Sequence, residues 1–274
     1  MTTPEPLSPV SRTALSVALV RAYESSRPDP LFQDPYAMAF VRASGMPLPT
    51  SGPAGDFARR LVLQGVIRTR FYDDRLVEAT GGRAGRTQVV VLGAGLDTRA
   101  HRLPWPPGTR LFEVDLAPVL AFKQRVLDEQ GAVPRCERAT VAADLVRDDW
   151  AGGLVRAGLD PERPTAWLAE GLLVYLTARE AAHLLSAVGS LSAPGSLLLL
   201  EQGRDVTTTP REDTLTPMTD LWKGGLGPGT DRWLARDGWS VGISDLAAVS
   251  AGYGRPSGPA AASASGFLTA ERTG

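Results

Sequence analysis

A chain of 274 residues with a 43% hydrophobic fraction is long enough for one large α/β domain with appendages, or for two small domains. Its formal net charge of -1 gives no electrostatic argument for a nucleic-acid or anionic-membrane partner. One cysteine, Cys136, excludes an internal disulfide, and two distant histidines, His101 and His183, supply no transition-metal pattern, so no metal is expected.

The first ten residues are rich in Pro and Thr. From Ser11 to Ser25 the spacing of Leu15, Leu19 and Tyr23 predicts a helix, and a second short helix is expected over Tyr36–Ala43 after the turn-rich Asp29-Pro30-Leu31-Phe32-Gln33-Asp34-Pro35. A longer helix is predicted from Asp56 to Ala79. Leu61, Val62, Gly65, Val66, Thr69 and Leu76 read as one side, Arg59, Arg60, Arg68, Arg75 and Glu78 as the other, and Gly81-Gly82 ends it. From Thr87 the pattern becomes an alternation of short apolar strands (87–92, 110–115, 138–143, 164–169, 196–201) with helices (97–102, 117–130, 148–157, 178–191). That alternation implies a doubly wound, mostly parallel α/β sheet covered on both faces. Residues 203–236 break it and read as an insertion covering a site. Trp239–Ile243 fits a further strand, Ser244-Asp245 a helix cap, and 252–265 a Gly/Ala/Ser/Pro loop before a last edge strand near Phe267-Leu268-Thr269, or a tail. The expected organisation is a single domain: a helical layer over 11–82, a cofactor-binding sheet over 87–201, a covering insertion over 203–236 and C-terminal strands or tail over 237–274.

The densest signal lies in Gln88-Val89-Val90-Val91-Leu92-Gly93-Ala94-Gly95-Leu96-Asp97-Thr98, followed by Phe112-Glu113-Val114-Asp115. It reads as a buried strand, a glycine turn opening a helix, and a second strand ending in an acid 20 positions after Gly95. Gly93 and Gly95 let the backbone turn sharply and approach a ligand where a Cβ would obstruct it, with Ala94 between them. Asp115, beside Leu116, is placed to accept hydrogen bonds from ribose hydroxyls. The dinucleotide fingerprint asks for a third small residue where Thr98 stands, and there is no Gly-Lys-Ser/Thr of a P-loop. A glycine turn with an acid one strand later suits S-adenosylmethionine-dependent methyltransferases; a nicotinamide enzyme and an unliganded turn remain as alternatives.

In an open parallel sheet the ligand lies beyond the carboxyl ends of the strands. Reading those ends gives Gly93-Ala94-Gly95, then Asp115, then Asp144-Leu145, then Glu170. Successive acids at strand ends are hard to explain by core packing, because a buried carboxylate is costly without a partner. Asp115 suits a ribose, Asp144 with Leu145 an adenine, and Glu170 an ammonium or sulfonium. Each also has a structural reading: a helix cap, a loop acid, and an acid held by backbone N–H.

Together with Arg68-Thr69-Arg70-Phe71-Tyr72-Asp73-Asp74 and Trp167-Leu168-Ala169-Glu170-Gly171-Leu172-Leu173-Val174-Tyr175-Leu176, these stretches resemble the leucine carboxyl methyltransferase superfamily, in its bacterial S-adenosyl-L-methionine-dependent branch. The resemblance runs in order from about residue 11 to 243, taking in Arg21-Ala22, Asp29-Pro30-Leu31-Phe32 and Asp237-Gly238-Trp239. It implies S-adenosyl-L-methionine as cofactor, with Arg70 on its carboxylate and Arg21 assisting. It also implies backbone contact at Gly93, the ribose on Asp115, the adenine on Asp144 and Leu145, Glu170 at the methionine end, and Tyr175 near the methyl acceptor. The two histidines read as structural.

A carboxylate acceptor is already ionised at neutral pH and needs no general base, whereas a phenol with a pKa near 10 calls for one. No base is evident, so O-methylation of a carboxylate on a small molecule or peptide is expected, with a phenol or hydroxyl acceptor as the alternative and a non-catalytic binding protein as the rival class. Arg204, Arg211, Lys223 or Arg232 could meet an acidic acceptor, and Met218 and Trp222 could wall an apolar pocket. No leader pattern and no apolar run of roughly 18 residues is seen, which points to the cytoplasm.

Overall fold

A computed structural model of the chain describes residues 9–48, 56–81, 86–203, 206, 219–256 and 266–274. Three helices come first: α1 (Pro9–Ser25), α2 (Ala37–Ala43) and α3 (Asp56–Gly81). The alternating region follows as β1 (Gln88–Leu92), α4 (Arg99–Arg102), β2 (Arg110–Asp115), α5 (Ala117–Glu129), β3 (Glu137–Ala142), α6 (Trp150–Arg156), β4 (Thr165–Ala169), α7 (Ala178–Ser190) and β5 (Leu197–Glu201). Then come α8 (Thr230–Arg236), β6 (Trp239–Asp245), α9 (Leu246–Gly252) and β7 (Gly266–Arg272).

The strands form one sheet in the order β3-β2-β1-β4-β5-β7-β6. β1 to β5 are parallel, while β7 pairs antiparallel with both β5 and β6. The sheet is therefore mostly parallel, as the alternation predicted. The expectation of a last edge strand near Phe267 is corrected, because β7 lies between β5 and β6 and β6 forms the edge. The pattern explains this: Phe267 and Leu268 are buried, as a strand covered on both faces requires, whereas Ile243 on β6 is exposed.

Alternation along the strands sorts the core into two layers. Val89, Val91, Leu111, Ala166, Leu168 and Leu199 face Ile67, Phe71, Tyr72 and Leu76 of α3. Val90, Leu92, Phe112, Trp167, Leu198 and Leu200 face Trp150 and Leu154 of α6 and Leu184, Leu185 and Val188 of α7. A third cluster joins Leu15 and Ala18 of α1 to Phe40 and Val41 of α2, Leu96, and Val126 and Leu127 of α5. It fixes the first helix beside the turn that follows β1.

The chain winds outward from β1 in both directions, toward β2–β3 on one side and β4–β5 on the other. That reversal opens a crevice at the strands' carboxyl ends. α1 and α3 stand over one side of it. Among the described residues, no helix is long and apolar enough to cross a membrane.

Candidate active site

The crevice holds a cavity of about 1210 Å³, lined from the strand ends by Gly93, Ala94, Gly95, Asp115, Leu116, Asp144, Leu145, Glu170, Glu201 and Tyr175. Pockets for drug-sized ligands span roughly 300–1,000 Å³, so this one has room for two reactants. Arg21 and Arg68 line it from the helical layer, and Trp222, Lys223 and Leu226 from the segment after β5.

Residues 93–95 make the turn the sequence predicted. Gly93 and Gly95 have φ of 61° and 46°, where an L side chain is strained, and a Cβ on Gly93 would stand 3.1 Å from Leu172 Cδ1. The amide of Ala94 donates to Val114 O at 3.0 Å, tying the turn to β2. Asp115 completes the tie: the Gly95 amide donates to its Oδ2 at 2.6 Å and the Leu116 amide to its Oδ1 at 2.7 Å. The carboxylate is thus aimed by two backbone groups, leaving each oxygen further accepting capacity toward the cavity. Burial pushes its pKa up, and the two amides only partly offset that.

Asp144 lies one loop further along. The Val146 amide donates to its Oδ1 at 2.8 Å, and its own amide donates to Asp148 Oδ2 at 2.8 Å. Its Oδ2 stands 3.8 Å from the exposed Arg147 Nε, so one carboxylate edge is open to the cavity. Leu145 beside it packs on the core while lining the same wall.

Beyond β4, Glu170 is clamped by two guanidiniums: Arg68 Nε donates to Oε1 at 2.9 Å, and Arg99 Nη2 lies 2.8 Å from Oε2. Burial would push this carboxyl up, but Arg99 and Arg68 outweigh it and hold it below the ordinary glutamate range. Glu201, the last residue of β5, receives the Gly171 amide at 2.9 and 3.0 Å on its two oxygens and pairs with Arg68 Nη1 at 2.9 Å. Here burial wins over the single guanidinium and the pKa is raised. Arg21 is anchored by Asp34 Oδ2 at 2.8 Å and by Leu96 O at 2.6 Å, while still lining the cavity.

The leucine carboxyl methyltransferase family model matches residues 14–189 of the chain, the stretch that supplies most of the residues lining this cavity. The chain belongs to the leucine carboxyl methyltransferase family. It is 53% identical over 274 residues to a protein of Frankia alni named a putative S-adenosyl-L-methionine-dependent methyltransferase, with 96% of this chain and 94% of that protein covered. A Parafrankia protein of the same name is 47% identical over 273 residues, with 96% of this chain and 87% of that one covered. The crystal structure of a DUF574 family protein from Streptomyces avermitilis superposes with a TM-score of 0.57 at 18% identity, covering 93% of this chain and 96% of that one, and so shares the fold. The chain is an S-adenosyl-L-methionine-dependent methyltransferase.

Within this methyltransferase one predicted residue lies elsewhere. Arg70 is turned away from the cavity: its Nε donates to Asp74 Oδ2 at 2.9 Å, its Nη1 to Leu31 O at 2.6 Å, and its guanidinium stands 5.6 Å from the Tyr253 ring centre. Two residues along a helix rotate about 200°, so Arg68 and Arg70 cannot share a face. Arg68 is the one that faces the crevice, on the same side as Leu61, Val62 and Gly65 and not opposite them as the sequence suggested.

Sequence reasoning also passed over Glu201, although the strand-end rule that found Asp115, Asp144 and Glu170 applies equally to β5. The buried pairs behind the wall were missed too. Arg99 contacts Asp97 and donates to Asp73 Oδ1 at 2.7 Å, and Arg102 reaches Asp73 Oδ1 and Oδ2 at 2.8 and 2.5 Å. Their signal was present in the neighbouring Asp73 and in Asp97-Thr98-Arg99.

Tyr175 lies on a 3-10 turn, Leu173–Tyr175, and lines the cavity. The strap after β5 is laid against that turn by backbone bonds, from the amides of Lys223 and Gly224 to Val174 O at 2.7 and 3.0 Å and from Gly225 to Leu176 O at 2.9 Å. Trp222 and Lys223 line the cavity, and Arg232 is exposed on α8; Arg204, Arg211 and Met218 lie outside the described residues. His101 is buried at an edge of the Tyr36 ring, where burial and the nearby Arg138 lower its pKa to about 4, and His183 is exposed on α7. Neither histidine lines the cavity.

Proposed function

We propose that this enzyme transfers the methyl group of S-adenosyl-L-methionine to a carboxylate oxygen of a small-molecule or peptide acceptor. The observation that carries the cofactor half is the Asp115 carboxylate, fixed by the Gly95 and Leu116 amides at the mouth of a positive-φ glycine turn. The donor set fits the cofactor group by group. Asp115 suits two ribose hydroxyls, the open edge of Asp144 an adenine amine with Leu145 against the ring, and the Gly93–Gly95 backbone the chain between them. At the methionine end, Glu170 and Glu201 offer carboxylates to the ammonium, and Arg21 and Arg68 offer guanidinium N–H groups to the carboxylate; this role passes from Arg70 to Arg68.

When bound, the cofactor supplies an electrophilic methyl on a sulfonium, which an acceptor oxygen takes in line while the C–S electron pair returns to sulfur. The protein's part is alignment and exclusion of water. Tyr175, on the strapped turn, stands at the acceptor side of the cavity. A carboxylate acceptor releases no proton in this step, which suits a site whose lining includes neither histidine.

A second reading rests on Glu201. Its raised pKa and its place in the lining would let it take a proton from a phenol or hydroxyl. Radiolabelled S-adenosyl-L-methionine offered with panels of carboxylic acids and phenols separates the two. The carboxylate reading expects base-labile methyl esters, and turnover in Glu201→Gln within a few-fold of the parent once the cofactor is saturating. Alkali-stable ethers, with turnover in Glu201→Gln down by about 100-fold or more, would establish the second reading instead.

A further inference from the structure

Apart from the strand ends, the 172–176 turn and the segment after β5, the cavity is lined by two helices that pack on each other. Besides Thr13, Ala14, Val17, Gln64 and the two arginines, α1 presents Ser16, Leu19, Val20 and Tyr23, and α3 presents Ala58, Leu61, Val62 and Gly65. Both sets have i, i+3, i+4, i+7 spacing, one face of a helix. On α1 this is not the core face, which is Leu15, Ala18 and Ala22. Leu19, Val20, Leu61 and Val62 are only half-buried, although their neighbours Ala18 and Ile67 are fully so. The α3 stripe ends inward at Arg68, where the charged groups begin, and runs outward for ten residues, on the order of 15 Å. Across the cavity Leu172, Val174, Trp222 and Leu226 continue the apolar lining.

The cations of the lining have partners within the protein. Among the described lining residues, Arg21 is held by Asp34, Arg68 by Glu170 and Glu201, Arg99 by Asp97, Asp73 and Glu170, Arg102 by Asp73, and Lys223 by Glu180 at 3.4 Å. A polar body placed against these apolar residues would lose its hydration without gaining partners.

We infer that the acceptor is an amphiphilic carboxylic acid, whose elongated apolar body lies along the half-buried apolar residues of α1 and α3 while its carboxylate sits at the inner, charged end. This rests on the carboxylate reading above and adds the class of the rest of the molecule.

Titration calorimetry on the protein saturated with S-adenosylhomocysteine tests it, using dodecanoate and butyrate as probes. Dodecanoate is expected to bind at least tenfold more tightly than butyrate, and labelled S-adenosyl-L-methionine to yield its methyl ester. Leu61→Gln and Val20→Gln should each weaken dodecanoate by about tenfold, since each removes apolar contact, while the affinity for S-adenosylhomocysteine is unchanged and reports that the variant is folded. Equal affinity for the two acids, or dodecanoate binding indifferent to both substitutions, would overturn the inference and leave the methyltransferase reading intact. Failure of S-adenosylhomocysteine to bind the parent protein would overturn both. Methyl transfer to dodecanol but not to dodecanoate would overturn the acid and support the hydroxyl reading.

Discussion

The two halves of the cavity are built on different principles. On the sheet side, nearly every polar group is aimed by something rigid: Asp115 by two amides, Asp144 by the Val146 amide, Glu201 by the Gly171 amide, and Glu170 by two guanidiniums. On the helical side, outward of Arg21 and Arg68, the wall is mainly apolar, set by side chains of α1 and α3, and the strap after β5 is held through backbone bonds that carry no side-chain identity. A cofactor with many polar groups needs fixed directions, and strand ends supply them. An apolar partner needs shape and dryness, which helix faces supply with far less constraint on residue type.

If the sheet side depends on fixed directions, removing what holds it should cost most. Asp73→Ala leaves Arg99 and Arg102 buried without their shared carboxylate, and should destabilise the fold by about 3 kcal/mol or more; chemical denaturation reads this directly. Asp115→Ala should weaken S-adenosylhomocysteine by about 100-fold or more in calorimetry, because two charge-assisted bonds are lost at once. The paired variants Arg68→Ala and Arg70→Ala sharpen the line between inside and outside. The first should weaken the cofactor markedly, while the second, removing a partly exposed i,i+4 pair, should leave the affinity unchanged and the stability within about 1 kcal/mol.

A further effect concerns His101, behind the site. Its folded pKa, about 4, lies below the ordinary value near 6.5, so the unfolded chain binds the proton more readily. Stability contributed by the neutral ring is present above about pH 6.5 and is lost as pH falls toward 4. The melting temperature should therefore drop over that window, and less so in His101→Phe. An equal drop in both proteins would assign the acid sensitivity to other groups.

The same contrast explains what could be read beforehand. Asp115, Asp144 and Glu170 were legible because a strand end is marked in sequence by an apolar run stopping at an acid, and their backbone partners follow from the turn. By that rule Glu201 was equally legible, since Leu197-Leu198-Leu199-Leu200 precedes it. Arg68 and Arg70 were not separable, because the rotation of a long helix cannot be fixed when charged residues lie on two of its sides. Nor could β7 be seen to lie inside the sheet: its neighbours are chosen by tertiary packing, and Phe267-Leu268-Thr269 reads the same in either place. The acceptor stripes were half visible, Leu19 and Tyr23 appearing as ordinary helical spacing. What distinguishes a ligand-facing stripe from a core-facing one is incomplete burial, which is a property of the folded chain.

Cofactor binding turns on Asp115, and a crystal structure of the protein with S-adenosylhomocysteine tests this most directly. It should place both ribose hydroxyl oxygens within hydrogen-bonding distance of the Asp115 carboxylate, with the adenine amine on Asp144 and the amino-acid end between Arg68 and Glu170. A nucleoside bound with its ribose away from Asp115, or with its amino-acid end against Arg70, would contradict it.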